Sequence, residues 1–350
     1  MTGEELSQQV KSGEFFVRKS FVGMDCRDMD LSGGVFMEVD FEGCDFSGAN
    51  LKEATFNECN MKNAMFIGAQ LQTTNIVSCD LRGAHFQEAR MDFTRLIESD
   101  LNDAGFQAAA LETAVFTESR LAGADFSGTT MSTTVFSECD MTAVVFSGVR
   151  MEKTVFFECR FEQNLFQDAQ IRLSCFYKAD LDKVDFSGLD LSQCQFIEST
   201  LTACDFSGSQ LKQGGFMRAA LNESRFDHAD LEMANFYDAN LTGTSMKHAR
   251  LGKAALQKAR LTDANLSSAH LEMAQLAEVQ ASLSDFIGAD LTHADLSHAV
   301  VQDADFSYTQ LFGANLHEID ESGTIWTGST KQLAQGTDEK RLNAEQWGKS

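Results

Sequence analysis

The chain of 350 residues contains no proline, only 3 Tyr and 2 Trp beside 29 Phe, and far fewer cations (28) than anions (52). Each shortage excludes something. A proline-free chain of this length carries none of the residues that break a backbone hydrogen-bond ladder, so long uninterrupted pairing is open to it. A formal charge of −24 repels nucleic acid phosphate and anionic lipid, so neutral or basic partners are expected, with no direct nucleic acid binding. No apolar run approaches the roughly 18–20 residues of a membrane span, so membrane insertion is not expected. The segment Met1 to Lys19 holds Glu4, Glu5 and Glu14 and no apolar stretch of a secretory leader, which points to the cytosol, or to a secretion machine that needs no cleaved leader. With 43% hydrophobic residues the chain can still bury a core, which excludes disorder.

What is present is a repeat. From Phe36 to Leu316 every position numbered in 1 or 6 is Leu, Phe, Met, Ile or Val, except Ala281. Two places earlier, at numbers ending in 4 or 9, the residue is small or Val everywhere except Asn164 and Leu189. A period of five fits neither the 3.6 of an amphipathic helix nor the 2 of a strand, so a large and a small residue must point inward from a chain that bends every five residues. Four sides make a coil of twenty. Coils stacked at about 4.8 Å leave no place for a residue without an N–H, and about fifteen of them would measure on the order of 70 Å. Numbers ending in 6 are mostly Phe as far as Phe236 and those ending in 1 mostly Leu or Met, so like should stack on like.

Ala289-Asp290-Leu291, Ala294-Asp295-Leu296 and Ala314-Asn315-Leu316 match the consensus Ala-Asp/Asn-Leu-x-x, and here the sequence resembles the pentapeptide-repeat family. The resemblance implies an all-β fold, a right-handed quadrilateral parallel β-helix or solenoid, with the central apolar residue and the small residue two before it inside. We expect a helical cap over 1–20, the repeat over 21–320, and a cap or dimerisation segment over 321–350. Thr2 and Glu5 form a capping-box pattern ahead of a helix ending near Gly13, and Phe15 and Phe16 are expected to lie over the first coil. Register is read as lost at Glu321, and Thr337 to Trp347 as a helix carrying Leu342 and Trp347.

Signals for chemistry are weak. Cys44, Cys59, Cys79, Cys139, Cys159, Cys194 and Cys204 occupy small inward sites and Cys26 a large one, so they read as buried small residues, with Cys175 alone facing solvent. His228 and His248, twenty apart, stack on one face without a third ligand in pattern, so no metal is expected. The phosphate-binding Gly-x-x-x-x-Gly-Lys-Ser/Thr loop, the Gly-x-Ser-x-Gly elbow and His-Glu-x-x-His are absent. A smooth coil offers no pocket, so neither catalytic residues nor a cofactor are expected.

One outer face differs from the others. Glu38, Glu58, Glu98, Glu118, Glu138, Glu158 and Glu198 form a carboxylate ladder broken by Ser78 and Lys178. Beside it stand Phe157, Tyr177, Ile197, Met217 and Tyr237, joined by Val115, Val135 and Val155, as an apolar strip that reads as a partner-binding surface. Past Met246, Lys247, Arg250, Lys253, Lys258 and Arg260 form a basic collar spread over several faces, read equally as a binding collar and as local charge balance. The expected function is a non-enzymatic scaffold or adaptor that binds a protein partner, or itself as a homodimer. The resemblance adds an alternative, since some family members imitate duplex DNA, occupy DNA gyrase and give quinolone tolerance. The opening Glu4-Glu5-Leu6, the Gly-Glu-x-Phe at 13–16 and Asp30-Leu31-Ser32-Gly33 also look like segments of type VI secretion proteins, which implies a bacterial cytoplasmic adaptor.

Overall fold

The five-residue period becomes one side of a four-sided coil because each side pairs with the residues twenty positions on. Parallel bridges join Ser20 to Asp40, Asp25 to Asp45 and Asp30 to Asn50, while Val35 pairs with Thr55. In the computed structural model, which describes residues 1–163 and 165–347, the chain forms two compact units, Met1–Asp180 and Leu181–Ser350. Asn164, an exception in the small column, and 348–350, the end of the expected C-terminal segment, lie outside the described residues. The bridges step by twenty from Ser20 to Asp180 in the first unit and from Asp185 to Ile325 in the second, which gives eight and seven coils.

The hydrogen bonds explain the consensus residue by residue. Phe46 donates its amide to Met65 O (2.7 Å), Asp45 to Met24 O (3.0 Å), Gly48 to Ile67 O (2.9 Å), and Ala49 closes a turn onto Phe46 O (2.9 Å). The fifth amide, of Ser47, is taken by Asp45 Oδ1 at 2.9 Å. The Asp or Asn of the repeat therefore satisfies the one N–H that the stack leaves over, and a proline would orphan a backbone or side-chain acceptor at every position.

In the first unit one side is built differently. Strands β1 (Phe15–Val17), β2 (Val35–Met37), β3 (Thr55–Asn57), β4 (Asn75–Val77), β5 (Arg95–Ile97) and β6 (Val115–Thr117) lie side by side in one parallel, in-register sheet. The sheet continues through β8 (Val135–Ser137), β10 (Val155–Phe157) and β12 (Cys175–Tyr177), while β7 (Thr130–Ser132), β9 (Arg150–Glu152) and β11 (Gln170–Arg172) form a second, three-stranded sheet. At the end of β3 to β5 the turn bond is replaced by a side chain: the amide of Cys59 donates to Cys79 Sγ (3.3 Å), that of Cys79 to Ser99 Oγ (3.1 Å) and that of Ser99 to Ser119 Oγ (3.2 Å). These cysteines are buried as expected, but they act as hydrogen-bonding equivalents of serine. In the second unit no described residue belongs to a strand of this length; isolated bridges and turns alternate.

In the first unit two stacks of aromatic rings run through the interior, one of them broken by Ile76 and Leu96. Phe106 and Phe126 lie 4.5 Å apart and parallel to 1°, Phe116 and Phe136 4.7 Å apart at 15°, and Phe116 meets Phe126 edge-on at 80°. Residues ten apart occupy opposite sides, so rings such as Phe116 and Phe126 are stacked along the coil axis and touched edge-on across it.

Every corner requires a left-handed residue, and many of those residues are not glycine. Leu283 has φ +61° and is 61% exposed, so its side chain contributes little packing while its backbone is strained. Leu283→Gly is expected to raise stability by up to about 1 kcal/mol, measured as a shift of the urea midpoint.

The ends are closed by different means. Helix α1 (Gly3–Lys11) starts with Thr2 Oγ1 accepting from the Glu5 amide (3.3 Å) and Glu5 Oε2 accepting from that of Thr2 (2.9 Å). It buries Leu6 and Val10, and Ser7 Oγ donates to Asp30 O at 2.7 Å. The coil begins earlier than position 21: Phe16 is already in the core, stacked on Phe36 at 5.4 Å, whereas Phe15 is 72% exposed and covers nothing. At the other end register is kept past Glu321, because Asp305 bridges Ile325 and Asn315 bridges Gln335. Only the chemistry of the inward sites changes. Glu321 and Lys331 form an ion pair, and Lys331 Nζ sits 4.5 Å from the Trp326 ring, which itself stacks on Phe306 at 4.6 Å. A helix follows, α2 (Glu339–Trp347), in which Leu342 is half-buried and Trp347 exposed.

Candidate interaction surface

The carboxylate ladder stands at the corner that follows the strand side. Glu38, Glu58, Glu98, Glu118, Glu138 and Glu158 all have φ between 49° and 54°, so each side chain projects from the same left-handed corner, one coil above the last. Carboxylates about 5 Å apart repel by roughly 0.8 kcal/mol per neighbour in bulk-water dielectric, less in salt. The protein clamps the ends of this column. Arg18 donates to both oxygens of Glu38 (2.8 and 3.0 Å), which holds that carboxyl below its usual range, and Lys178 pairs with Glu158 at 3.3 Å. Ser78 Oγ donates to Glu98 at 3.3 Å. Among the described residues Glu58, Glu98, Glu118 and Glu138 form no ion pair, so the middle of the column is left uncompensated. In the second unit Glu198 is paired with Arg218.

The apolar strip divides between the units. In the first, Val115, Val135, Val155 and Cys175 are register partners on β6, β8, β10 and β12, all half-buried. On the ladder side of the same strands Phe157 and Tyr177 stack at 5.6 Å and 21°, with Lys178 Nζ 5.5 Å from the Tyr177 ring. In the second, Glu198 donates its amide to Met217 O and Arg218 to Tyr237 O (3.0 Å each), which sets Ile197, Met217 and Tyr237 on consecutive coils. Ile197 and Met217 are half-buried and Tyr237 is exposed, with Lys258 Nζ 6.0 Å from its ring.

The basic collar is partly compensated. Arg250 lies 3.5 Å from Asp230 and Lys258 3.9 Å from Glu278, each a carboxylate one coil away. Lys247, Lys253 and Arg260 make no ion pair among the described residues. The expectation of a surface without concavity needs correction: α1 and the first coil border an open recess of about 970 Å³ that includes Thr2, Ser20, Asp25 and Arg27. Among its lining residues Asp25 and Arg27 are bound to each other (2.9 and 2.6 Å).

Burial pushes the Cys26 thiol up to about 12 and the Cys44 thiol up to about 11, and raises that of half-buried Cys175. Raised values mean little thiolate near neutrality. Because the other eight thiols are buried and Cys175 is half-buried, an aromatic disulfide reagent at pH 8 is expected to modify at most Cys175, slowly, in the folded protein and all nine thiols in concentrated denaturant. Fast reaction of two or more thiols under native conditions would contradict the burial.

His228 and His248 stack face to face at 4.9 Å, as their spacing implied. The described residues contain one three-residue group that sequence reading missed: His298, His317 and Glu345. His298 and His317 fall nineteen apart, on different outward positions of adjoining coils, and Glu345 comes from α2. No fixed spacing in the repeat connects them. Arg341, donating to Glu345 Oε1 at 2.7 Å, holds the Glu345 carboxyl down at about 2, with His317 adding to the effect.

Three family profiles match the chain. The profile described as "pentapeptide repeat region" covers residues 16–86, and "pentapeptide repeats (8 copies)" covers 79–117, 174–213, 216–252, 245–279 and 282–320. A further one, "pentapeptide repeats (9 copies)", covers 116–158. No curated protein matches the chain by sequence. Among solved structures it is similar to HetL, a pentapeptide repeat protein involved in heterocyst differentiation regulation from the cyanobacterium Nostoc, at 17% identity over 97% of this chain and 98% of that one, with a TM-score of 0.24. It is also similar to trypsin-treated QnrB1, a plasmid-mediated fluoroquinolone resistance protein, at 21% identity over 57% and 87% of the two chains, TM-score 0.29. A pentapeptide repeat protein of the Arabidopsis thaliana thylakoid lumen matches at 25% identity over 38% and 68%, TM-score 0.11.

Proposed function

We propose, from the premise that this chain belongs to the pentapeptide-repeat family, that it works as a non-enzymatic scaffold whose strand side binds a protein. The observation that carries this reading is the stacked Phe157–Tyr177 pair at the end of a column of carboxylates whose middle members form no ion pair among the described residues. Aromatic centres with a charged rim are the usual anatomy of a protein interface, and an uncompensated acidic rim selects a partner with Lys or Arg around an apolar patch. An adaptor role in protein export is one case of this reading. A second reading is favoured by the same open carboxylates together with the charge of −24: imitation of nucleic acid phosphate toward a topoisomerase such as gyrase. The half-buried aromatic pair in the adjoining column weighs against it, because phosphate backbones are recognised by polar and cationic groups.

Light scattering on the wild type and on a Phe157→Glu, Tyr177→Glu double variant tests both. A mass near twice 38.5 kDa that falls to 38.5 kDa in the variant assigns the strip to self-association. A monomeric wild type that stops gyrase supercoiling at micromolar protein favours the second reading. A monomer without that effect directs the search to a basic partner, with the variant as control bait; equal capture by both forms would overturn the strip as the binding surface.

A further inference from the structure

The contact between α2 and the last coils has an electrostatic arrangement that protons alone do not satisfy. Glu345 Oε2 lies 3.3 Å from His298 Nε2 and 3.4 Å from His317 Nε2, and all three donor atoms fall within 4.8 Å of one another. His317 is 1% exposed, while His298 and Glu345 are half-buried. The backbone fixes one tautomer: His317 Nδ1 accepts from the Asp338 amide at 3.1 Å, so its ring proton sits on Nε2 and points at Glu345. His298 Nε2 faces two opposite demands, Arg341 Nη2 at 3.4 Å, which can only donate, and the carboxylate oxygen at 3.3 Å, which can only accept. With Nε2 bare it repels the carboxylate; with Nε2 protonated it opposes the guanidinium.

A cation between the three atoms satisfies the carboxylate and both ring nitrogens, and it displaces Arg341 Nη2 from His298. Tetrahedral zinc at 2.0–2.1 Å from its ligands sets neighbouring donors about 3.3 Å apart, and two imidazoles with one carboxylate are a zinc-type donor set. We infer that His298, His317 and Glu345 form a three-ligand site for a divalent cation of the zinc class, which ties α2 to the coils that carry the two histidines. Arg341 remains bound to the other oxygen of Glu345. Binding moves the His317 proton from Nε2 to Nδ1 and releases the Asp338 amide. Zinc sites whose second ring nitrogen donates outward keep that bond, so this one is weaker, with a dissociation constant on the order of micromolar.

The test is a titration of the full chain with zinc chloride, read by calorimetry and by competition with a chromogenic indicator. One zinc per chain is expected. His298→Asn and Glu345→Gln, both at half-buried positions, should each weaken binding at least about tenfold, and His248→Asn should leave it unchanged. Imidazole nitrogen NMR should show the His317 proton transferring to Nδ1 as zinc is added. No binding up to about 1 mM zinc, or undiminished binding in His298→Asn, overturns the site. So does loss of binding in His248→Asn alone, which would place the ion on the stacked pair. Circular dichroism shows that each variant is folded before it is titrated.

Discussion

Phe126→Ala is expected to lower the stability of the first unit by about 3–5 kcal/mol, the range for truncating a fully buried ring. Phe126 stacks on Phe106 (4.5 Å) and Phe146 (5.7 Å) and meets Phe116 and Phe136 edge-on (6.2 and 5.9 Å), so one truncation removes four ring contacts. A cavity cannot collapse here, because the surrounding backbone is held by amide bonds to the coils on either side, such as Phe126 to Val145 O and Asp125 to Ala104 O. Urea denaturation followed by circular dichroism measures the loss. Hydrogen exchange should show faster opening of the coils that hold Phe106 and Phe146, since a repeat array passes strain mainly to nearest neighbours. Phe126→Leu should cost less than half as much. A change below about 1 kcal/mol for the alanine variant would mean that the stacked rings are not the source of the stability.

The second large effect concerns the end of the coil. Glu321 and Lys331 stand at inward positions where every earlier coil has an apolar residue, and Lys331 of their ion pair lies over the Trp326 ring that ends the stack begun by Phe306. Replacing both by Leu continues the core to an uncovered edge with unpaired backbone groups, the arrangement from which strands add to strands. Glu321→Leu with Lys331→Leu is therefore expected to give head-to-tail association, growing with concentration because such contacts do not close on themselves. Light scattering across a hundredfold dilution series should show rising mass for the variant and constant mass for the wild type. A variant of constant mass would mean that the charged pair does not protect this end.

The inward columns, the capping box and the absence of proline were legible because each follows from a single spacing. Thr2 and Glu5 are three apart in one helix, and Phe106 and Phe126 differ by one coil, so local rules suffice. Glu321 was read as the end of the register because inward positions were equated with apolar ones; its backbone bridges show that an inward site can hold a charge when a partner such as Lys331 faces it. The strand side of the first unit also carries a written signal, the run Cys59, Cys79, Ser99, Ser119, Cys139 and Cys159, whose thiols and hydroxyls take the place of a turn bond. It passes unnoticed when those residues are counted only as small. The group of His298, His317 and Glu345 was not legible, since it depends on where a helix outside the repeat comes to rest.

Bridges between residues twenty apart, as from Asp80 to Asp100 and from Asp100 to Arg120, also determine how such a gene can grow or shrink. Excising 81–100 would hand Asp80 a new partner in Arg120 and leave the aromatic, small and acidic columns aligned. Removing only five residues would keep every inward residue inward, yet turn all that follows by a quarter revolution, so that Glu118 and Glu138 would emerge on the adjacent side. Length changes that are silent for folding are thus not silent for the surface: multiples of twenty conserve a binding face, and other multiples of five create a different one from the same residues.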